Sequence, residues 1–386
     1  MIKYITVFSN SEIGLVSYDS ALDLPAKRRS IWAETALINA KLPSKSVLTR
    51  RDNLYVEHSR AKNKRKRRPI ASPNLKLKTA QRDILSRLGN ALPGIMSPSA
   101  FAYITGRSAK SAAQVHIGMK WAVKIDLADF FMNIDEKRIF QTFRSLGFGR
   151  GESNLIAKVC TYVPRDGLSG LPRKYSRLQP QRKLWGQQRR IGQLPQGAPT
   201  SGFLSNLICR NMDEQFNALA AYYNLTYTRY SDDILLSSRD EFDRETAENV
   251  FKSAKQIARF SEFEINASKS RIISPGSRTK YLGINIGEDG LTCPRKLKRE
   301  YDRKLLLISK IGLNGTAEVF GIDAEKMWDQ LKGQLEWIAH VEAEYSRVWV
   351  DRRKSRLLEI LGVPCGCWMC KIGKPVHQNL LPPLNI

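Results

Sequence analysis

The run Thr226-Tyr-Thr-Arg-Tyr-Ser-Asp-Asp-Ile-Leu-Leu-Ser237 decides the fold of this chain. Two β-rich stretches, 226 to 230 and 234 to 237, flank Ser231-Asp-Asp233, which predicts a β-hairpin with an acidic pair at its tip. A third carboxylate, Asp126, directly follows Ala122 to Ile125, an apolar run typical of a short buried strand. Turn chemistry alone would explain an isolated Ser-Asp-Asp, because aspartate is favoured in turns.

A carboxylate at a strand end and two at a hairpin tip form a recurring arrangement for paired divalent ions. Phosphoryl transfer needs its reacting groups in line and its developing negative charge neutralised, and two Mg²⁺ ions about 3.5 to 4 Å apart supply both. Mg²⁺ prefers oxygen ligands and keeps several waters, so two or three carboxylates suffice. The pattern therefore predicts a two-magnesium site on Asp126, Asp232 and Asp233.

The charge of the chain indicates a polyanionic partner. Lysine and arginine number 63 against 37 aspartate and glutamate residues, a net charge of +26. Nucleic acid is the usual polyanion, because each neutralised phosphate releases counterions. An anionic membrane surface is the alternative, but no basic amphipathic helix and no run of about 18 to 20 apolar residues supports it. The N-terminus lacks the features of a secretory signal, so we expect a cytoplasmic protein without membrane attachment.

Apolar periodicity and capping residues predict the other elements. Six of the seven residues from Lys62 to Arg68 are basic. This run is either a solvated loop or a segment that binds a phosphate backbone. Helices are expected at 21 to 40, at 75 to 88 and from Pro199 to Tyr223. Another helix is expected to begin at an N-cap at Asp135, with an apolar stripe of Phe140, Phe143 and Leu146. The region 296 to 361 is also expected to be helical, with core positions at Leu305, Met327, Leu331, Leu335 and Ile338. A second hairpin-like stretch joins 271 to 274 and 281 to 286 across Pro275-Gly276.

The motifs around the carboxylates resemble, in order and spacing, the palm motifs of reverse transcriptases. They are Val123-Lys-Ile-Asp126-Leu-Ala-Asp-Phe-Phe131, Leu194-Pro-Gln-Gly-Ala-Pro-Thr-Ser201, Tyr230-Ser-Asp-Asp233, Asn266-Ala-Ser-Lys-Ser-Arg271 and Tyr281-Leu-Gly283. Two upstream stretches resemble the finger motifs of bacterial members. They are Arg68-Pro-Ile-Ala-Ser-Pro73 with Leu75-Lys-Leu-Lys-Thr-Ala-Gln81, and Ala100-Phe-Ala-Tyr-Ile-Thr-Gly-Arg107. The resemblance covers about residues 60 to 345.

The resemblance implies an α+β right-hand polymerase with fingers, a palm of antiparallel sheet and helices, and a helical thumb. The expected bounds are 1 to 60 for an N-terminal extension, 61 to 120 for the fingers, 121 to 290 for the palm, 291 to 363 for the thumb and 364 to 386 for a cysteine-containing tail. The implied activity is RNA-directed DNA synthesis from dNTPs with release of pyrophosphate. We see no room in this chain for an RNase H domain.

Individual roles follow from the same resemblance. Asp126 and Asp232 would ligate both metal ions, with Asp233 assisting and the Leu127 carbonyl adding an oxygen. Phe131 matches the steric gate that excludes a 2′-hydroxyl, whereas Phe130 is the better candidate for a core position. The remaining substrate contacts are Gln196 and Gly197 against the nucleotide, Lys269 at the departing pyrophosphate, Arg68 and Arg107 on the triphosphate, and Tyr281 to Gly283 at the primer end. A solvated lysine is the alternative for Lys269.

Among subfamilies, the short chain and Gly106-Arg-Ser108 resemble bacterial retron and defence-associated reverse transcriptases most. Retrons carry Asn-Ala-X-X-His where this chain has Ala112-Ala-Gln-Val-His116, and Val-Thr-Gly where it has Tyr281-Leu-Gly283. The reverse transcriptase family has Ser-Pro after the Gln-Gly turn, where this chain has Ser201-Gly202. These departures favour the looser defence-associated groups over true retrons. Group II intron maturases resemble the chain less.

The resemblance also implies the partners and the biology. A structured non-coding RNA is the expected template and scaffold, with a DNA product and antiphage defence as the outcome; an effector protein or a second copy of the chain is a further candidate partner. Two alternatives remain at this stage: an RNA-binding scaffold without polymerase activity, and template-independent or protein-primed synthesis by the same palm. The intact carboxylate trio argues against the scaffold.

The cysteines do not indicate a disulfide framework. Cys160, Cys209 and Cys293 are isolated and expected to lie reduced in the core. Cys365, Cys367, Cys370 and His377 could form a Cys₃His zinc site, although Cys-X-Cys is less usual there than Cys-X-X-Cys. A packed tail of reduced thiols, or a tail that contacts RNA or a partner, is the alternative.

Overall fold

The computed structural model describes residues 3–8, 13–18, 29–44, 47, 51–63, 66–163, 182–184, 187–189, 191–241, 243–277, 279–342 and 347–360. These residues belong to two compact units. The first unit comprises Met1–Ser108 and Trp121–Ser274, and the second comprises Ala109–Lys120 and Pro275–Ile386. The fingers, palm and thumb bounds stay a prediction.

The described elements mix helices with antiparallel strands, as the α+β class requires. The strands are β1 (Lys3–Phe8), β2 (Ile13–Tyr18), β3 (Tyr55–Asn63), β4 (Lys66–Pro73), β5 (Trp121–Asp126), β6 (Arg182–Leu184), β7 (Gln187–Arg189), β8 (Thr226–Tyr230), β9 (Asp233–Ser238), β10 (Arg271–Ile273), β11 (Thr279–Tyr281), β12 (Ile284–Ile286) and β13 (Leu291–Thr292). The helices are α1 (Ala33–Asn39), α2 (Leu75–Ala91), α3 (Ala109–Gln114), α4 (Glu136–Ser145), α5 (Arg150–Val159), α6 (Ser201–Ile208), α7 (Arg210–Tyr222), α8 (Arg244–Phe260), α9 (Arg295–Val319), α10 (Ala324–Val341) and α11 (Arg347–Ile360), with a 3₁₀ turn at Arg51–Leu54.

A four-stranded antiparallel sheet in the order β10-β5-β9-β8 forms the centre of the first unit. Strands β8 and β9 form the predicted hairpin, with Tyr230 opposite Asp233 at its closed end. Helices α7 and α8 pack on this sheet, and their buried stripes include Phe216 and Leu219 on α7 and Ile257 on α8. The face of the sheet that packs against these helices therefore lies in the hydrophobic core.

Three helices in the first unit begin at a side-chain cap, and one of these caps was predicted. The Asp135 side chain accepts a hydrogen bond from Arg138 N at 2.8 Å and begins α4, as predicted. Asn74 and Asp243 cap α2 and α8 in the same way. The stripe of α4 differs from the prediction in one position, because Ile139 is fully buried whereas Phe140 is only partly buried.

Four sequence-based expectations in the elements were wrong. In the described part of the helix expected at 21 to 40, residues 29–32 are not helical and α1 begins only at Ala33. The helix expected from Pro199 to Tyr223 is two helices, α6 and α7, which meet at Cys209. Strand β10 pairs with β5 in the central sheet rather than with residues 281–286. Those residues instead contain a tight turn between β11 and β12, where Leu282 and Gly283 have φ of +52° and +83°. Two successive residues in the left-handed region reverse the chain within a stretch that the sequence predicts to be one strand.

The second unit contains a small antiparallel sheet in the order β11-β12-β13 and the helices α3, α9, α10 and α11. All five predicted core positions on its helices are buried: Leu305, Met327, Leu331, Leu335 and Ile338. The expected single helical region is broken near residues 320 to 323, and Gly312 (φ +73°) interrupts the helical backbone within α9. In the part of the chain that is described, no single helix is long and apolar enough to cross a membrane; α9 and α10 reach that length and composition only as a pair bent by 105°.

Candidate active site

The central sheet brings Asp126 and the acidic hairpin tip together. Asp126 is the last residue of β5, and its Cα partner across the antiparallel ladder is Asp233, the first residue of β9. Directly opposed residues in such a pair have Cβ atoms about 4.5 to 5.5 Å apart. Leu127 N donates to the carbonyl oxygen of Asp232 at 2.8 Å, which ties the next residue to the hairpin turn. Carboxylates more than 100 residues apart in sequence thus lie at one end of the same strand pair.

Two lysine side chains lie against these carboxylates. Lys269 Nζ contacts Asp126 Oδ2, and Lys124 Nζ lies 3.6 Å from Asp233 Oδ1. Burial raises the pKa of the Asp233 carboxyl, and the neighbouring Asp232 and Asp126 raise it further, whereas Lys124 and Lys269 lower it. The acidic cluster therefore carries mutual repulsion that positive charge relieves.

The segment that carries Lys269 is bound to the backbone of the Asp126 strand end. Asn266 N donates to the carbonyl oxygen of Asp126 at 2.8 Å, and Asp126 N donates to Ser270 Oγ at 3.1 Å. Ser270 N and Lys269 N both donate to the carbonyl oxygen of Asn266, which forms the turn that aims Lys269 back at Asp126. Strand β10 then begins at Arg271, opposite Lys124. The pairing of β10 with β5, together with these hydrogen bonds, therefore places the lysine beside Asp126.

Phe131 lies on the loop that follows Asp126 and is partly exposed. Its neighbour Phe130 is buried and stacks on Phe263, with ring centroids 5.3 Å apart. Phe130 is therefore the core residue of the pair, as predicted. The gate role of Phe131 stays a prediction, and its partial exposure near the end of β5 is compatible with it.

The Gln196-Gly197 turn lies against strand β4. The Gln196 carbonyl oxygen accepts a hydrogen bond from Ala71 N at 3.0 Å. Gly197 has a φ of +124°, and a Cβ there would lie 3.1 Å from Ile70 Cγ2 and 3.2 Å from the Ala71 carbonyl oxygen. Glycine is needed at 197 both for its backbone conformation and for this close approach to β4.

Of the two arginines predicted to hold the triphosphate, Arg107 has a described side chain. Arg68 lies in β4, opposite Arg60, and its side chain lies outside the described residues. Arg107 Nη1 donates to the carbonyl oxygens of Ser97 and Pro98 at 2.9 and 3.0 Å, and also contacts that of Ala100. This arm of the guanidinium holds the 97–107 loop together, which the sequence did not indicate. The triphosphate role of both arginines stays a prediction.

A buried ion pair supports the hairpin tip, and sequence reasoning missed it. Arg229 on β8 donates from Nε and Nη2 to the two carboxylate oxygens of Asp213 on α7, both at 2.7 Å. Both side chains are fully buried. Tyr227 also donates to Asp213, and Arg229 Nη1 reaches Asn206 Oδ1 at 3.0 Å and the Ser231 carbonyl oxygen at 3.4 Å. The one sequence signal was an arginine three residues before the acidic pair, in a stretch expected to be a β-strand.

Protonation within this network is fixed by its charges. Burial lowers the pKa of the Arg229 guanidinium, but the adjacent Asp213 carboxylate outweighs burial and raises it well above its ordinary value. Burial, followed by the Asp213 charge, raises the pKa of the Tyr227 hydroxyl well above its usual range. The Arg229 guanidinium therefore stays charged and the Tyr227 phenol stays neutral over the physiological pH range.

The donor set fits magnesium better than any softer metal. Asp126, Asp232, Asp233 and the Leu127 carbonyl offer oxygen ligands, and two ammonium groups already lie against this cluster. Across the described residues, no three His, Cys, Asp or Glu side chains come close enough together to enclose a metal ion. A cation here would need water or substrate to complete its coordination. The proposed zinc ligands Cys365, Cys367, Cys370 and His377 lie outside the described residues, and no finding supports zinc.

Comparison with known proteins identifies the family to which the motifs point. The profile of the family described as "Reverse transcriptase (RNA-dependent DNA polymerase)" matches residues 60–286. The retron Mx162 reverse transcriptase of Myxococcus xanthus is 28% identical over 77% of this chain and 59% of its own length. The retron Mx65 reverse transcriptase of the same organism is 28% identical over 75% and 62%, and the retron Ec86 reverse transcriptase of Escherichia coli is 29% identical over 66% and 69%.

These relatives bear on the subfamily prediction. The resemblance to bacterial retron-type reverse transcriptases is confirmed, and the preference for other defence-associated groups gains no support from them. The chain spans only about three fifths of the length of the two Myxococcus relatives. A telomerase structure from Candida albicans in complex with a fragment of telomeric RNA covers 95% of this chain and 69% of its own, at 10% identity and a TM-score of 0.38, a similarity too low to support any conclusion.

Proposed function

The chain belongs to the reverse transcriptase family, and from this premise we propose that it is an RNA-directed DNA polymerase that extends a DNA chain from dNTPs on an RNA template. The observation that carries the proposal is the cross-strand pairing of Asp126 with Asp233. Chance turn chemistry would place an acidic pair at a hairpin tip, but would not place a third carboxylate directly opposite it.

The proposed cofactor is a pair of Mg²⁺ ions held by Asp126, Asp232, Asp233 and the Leu127 carbonyl. When bound, such ions activate the attacking hydroxyl and neutralise the charge that develops on the triphosphate. The residues around them supply position. The β5–β9 register and the Arg229 support fix the carboxylates before substrate arrives, so little reorganisation remains for the reaction.

The other residues of the site have proposed roles toward the nucleotide. Lys269 Nζ carries the proton or positive charge for the departing pyrophosphate, and its contact with Asp126 keeps it in reach of the reacting groups. Phe131 excludes the 2′-hydroxyl of the incoming sugar. Gln196 and Gly197 line the nucleotide site where the turn and β4 approach each other, and Arg68 and Arg107 contribute positive charge to the triphosphate.

The proposed template is a structured non-coding RNA, and the proposed biology is antiphage defence. Both rest on the similarity to the retron reverse transcriptases and on the net charge of +26, which suits a polyanion. We propose an effector protein or a second copy of the chain as a further partner.

A double substitution tests the polymerase proposal. The chain is purified with the RNA that copurifies with it and supplied with radiolabelled dNTPs and Mg²⁺. We expect wild type to incorporate label and Asp232→Asn/Asp233→Asn to abolish incorporation while RNA binding in a filter assay is retained. Asp329→Asn/Asp351→Asn removes two exposed carboxylates and is the charge-matched control, for which we expect wild-type incorporation.

The other outcomes distinguish the alternatives. RNA binding without incorporation by wild type would indicate a scaffold. Incorporation that survives RNase treatment of the template would indicate template-independent synthesis, and a nucleotide adduct found on the protein by mass spectrometry would indicate protein priming. Retained synthesis in the double variant would refute the assignment of the carboxylates.

A further inference from the structure

Tyr103 is held in a strained position on a loop that is fixed at several points. Phe101 N donates to the Arg229 carbonyl oxygen at 2.8 Å, and the Ala102 carbonyl oxygen accepts from the buried Asn206 side chain at 2.7 Å. Tyr103 itself has a φ of +60° and is 55% exposed. Left-handed backbone is unfavourable for a bulky residue, so the surrounding loop imposes this placement.

The ring of Tyr103 occupies space that only a glycine at 202 leaves open. A Cβ on Gly202 would lie 2.4 Å from Tyr103 Cγ and 2.7 Å from Tyr103 Cδ1, much closer than two non-bonded carbon atoms can approach each other. The pattern of the reverse transcriptase family has proline at this position. The departure noted in the sequence thus has a structural counterpart: the absent side chain is replaced by the ring of Tyr103.

In this position, Tyr103 contacts two residues of the candidate site. Its ring packs edge-on against Phe131, with centroids 6.2 Å apart and planes at 64°. Its hydroxyl lies 3.3 Å from Ser231 Oγ, beside the acidic pair. Phe130 also packs against Phe131, with ring centroids 5.3 Å apart and planes at 71°. Phe131 therefore contacts both a buried ring and the half-exposed ring of Tyr103.

We infer that Tyr103, seated on Gly202, is a positioning residue that sets the sugar specificity of this site by holding the Phe131 ring in place. The inference rests on the proposed function. A ring excludes a 2′-hydroxyl only while its side chain keeps one orientation. Phenylalanine has staggered wells at the Cα–Cβ bond and a broad well at the Cβ–Cγ bond, so neighbouring groups must fix both the position and the plane of the ring. Phe130 and Tyr103 are two such neighbours of Phe131.

Discrimination between dUTP and UTP tests this inference, because the two nucleotides differ only in the 2′-hydroxyl. Wild type, Tyr103→Ala, Tyr103→Phe and Gly202→Ala are compared by kcat/KM for each nucleotide on poly(rA) primed with oligo(dT), with Mg²⁺. We expect Tyr103→Ala and Gly202→Ala to lower the dUTP preference about tenfold, chiefly through a lower KM for UTP, as expected for one misplaced contact at a specificity site. We expect kcat for dUTP to stay within about threefold of wild type, since no group in contact with the reacting atoms is removed. Tyr103→Phe keeps the ring and is expected to keep the preference.

Three outcomes would overturn the inference. Unchanged preference in both Tyr103→Ala and Gly202→Ala would overturn it alone, and so would equal losses of kcat/KM for both nucleotides. A wild-type chain that incorporates neither dUTP on primed poly(rA) nor dNTPs on its copurified RNA would overturn the proposed function together with the inference. A thermal-unfolding cycle checks the contact without activity: Gly202→Ala is expected to lower the melting temperature less in the Tyr103→Ala background than in wild type.

Discussion

Replacing Arg229 with methionine separates support of the hairpin tip from the chemistry performed there. The substitution removes two charged hydrogen bonds of 2.7 Å to Asp213 and leaves that carboxylate fully buried beside the Tyr227 hydroxyl. Leaving one member of a buried ion pair uncompensated destabilises a protein by about 3 to 5 kcal/mol. We expect a loss of this size, because both side chains have no exposed surface and solvent cannot screen the remaining charge.

The assay must report on the central sheet, since two compact units need not unfold in one step. We would follow hydrogen exchange of the β8 and β9 amides through a urea titration and compare the midpoints of the variants. The triple variant Arg229→Met/Asp213→Leu/Tyr227→Phe removes the polar groups together and is expected to recover most of the lost stability, because no buried charge remains. We expect its nucleotide incorporation to stay below wild type, because the Ser231 carbonyl has lost the Arg229 donor.

An exposed ion pair provides the matched control. Arg244 Nε lies 3.0 Å from Glu248 Oε1 on α8, and the side chains are 85% and 46% exposed. Arg244→Met is expected to lower stability by less than about 0.5 kcal/mol, because solvent screens such pairs. If Arg229→Met lowers the free energy of unfolding by less than about 1 kcal/mol, the reasoning is refuted, because an unpaired buried charge should destabilise the fold by more than that. A triple variant no more stable than the single one would also refute it.

Two further predictions follow from the backbone and from burial. Gly197→Ala places a Cβ against Ile70 and the Ala71 carbonyl at a φ of +124°, so we expect incorporation to fall at least about tenfold. Gly89→Ala, on the exposed face of α2 with nothing within 4 Å, is expected to keep full activity and gain about 0.5 to 1 kcal/mol; equal activity of both variants would contradict the close approach of the turn to β4. Burial raises the pKa of the Cys160 thiol to about 12 and that of Cys209 to about 11, so both stay protonated at pH 8. We expect iodoacetamide, followed by mass spectrometry, to label them only after unfolding in urea, and rapid labelling of the folded chain would show that they are not buried.

The parts of the fold set by local sequence were predictable. Asp135 begins a helix because a side-chain oxygen in that position satisfies a free backbone N–H, and this depends on neighbours alone. The β8–β9 hairpin was predictable for the same reason, since two β-rich runs around a short polar turn pair with each other. The position of Asp126 at the end of β5 needed only the apolar run before it.

Features that depend on distant partners could not be read from the sequence. Strand β10 has only three residues, and its partner β5 lies about 150 positions earlier, so nothing local separates this pairing from a hairpin with the next strand. Arg229 gave no sign of its partner, because Asp213 lies on a helix where an exposed acid would look the same. Tyr103 and Gly202 belong to motifs about 100 residues apart, and only the folded chain shows that the ring of one fills the space left by the other.

The geometry of the acidic site is a property of the whole sheet rather than of the hairpin. Side chains alternate between the two faces of a strand, so a slip of one residue between β5 and β9 would turn Asp233 to the opposite face from its partner. That register is set where apolar residues pair in the core, as Ile125 does with Ile234 and Val123 with Leu236. The hydrogen bonds that hold the turn of Lys269 to Asp126 fix the same end of β5 from the other side. A substitution that shifts these core pairs would therefore separate the carboxylates and displace the lysine together, without touching any of them.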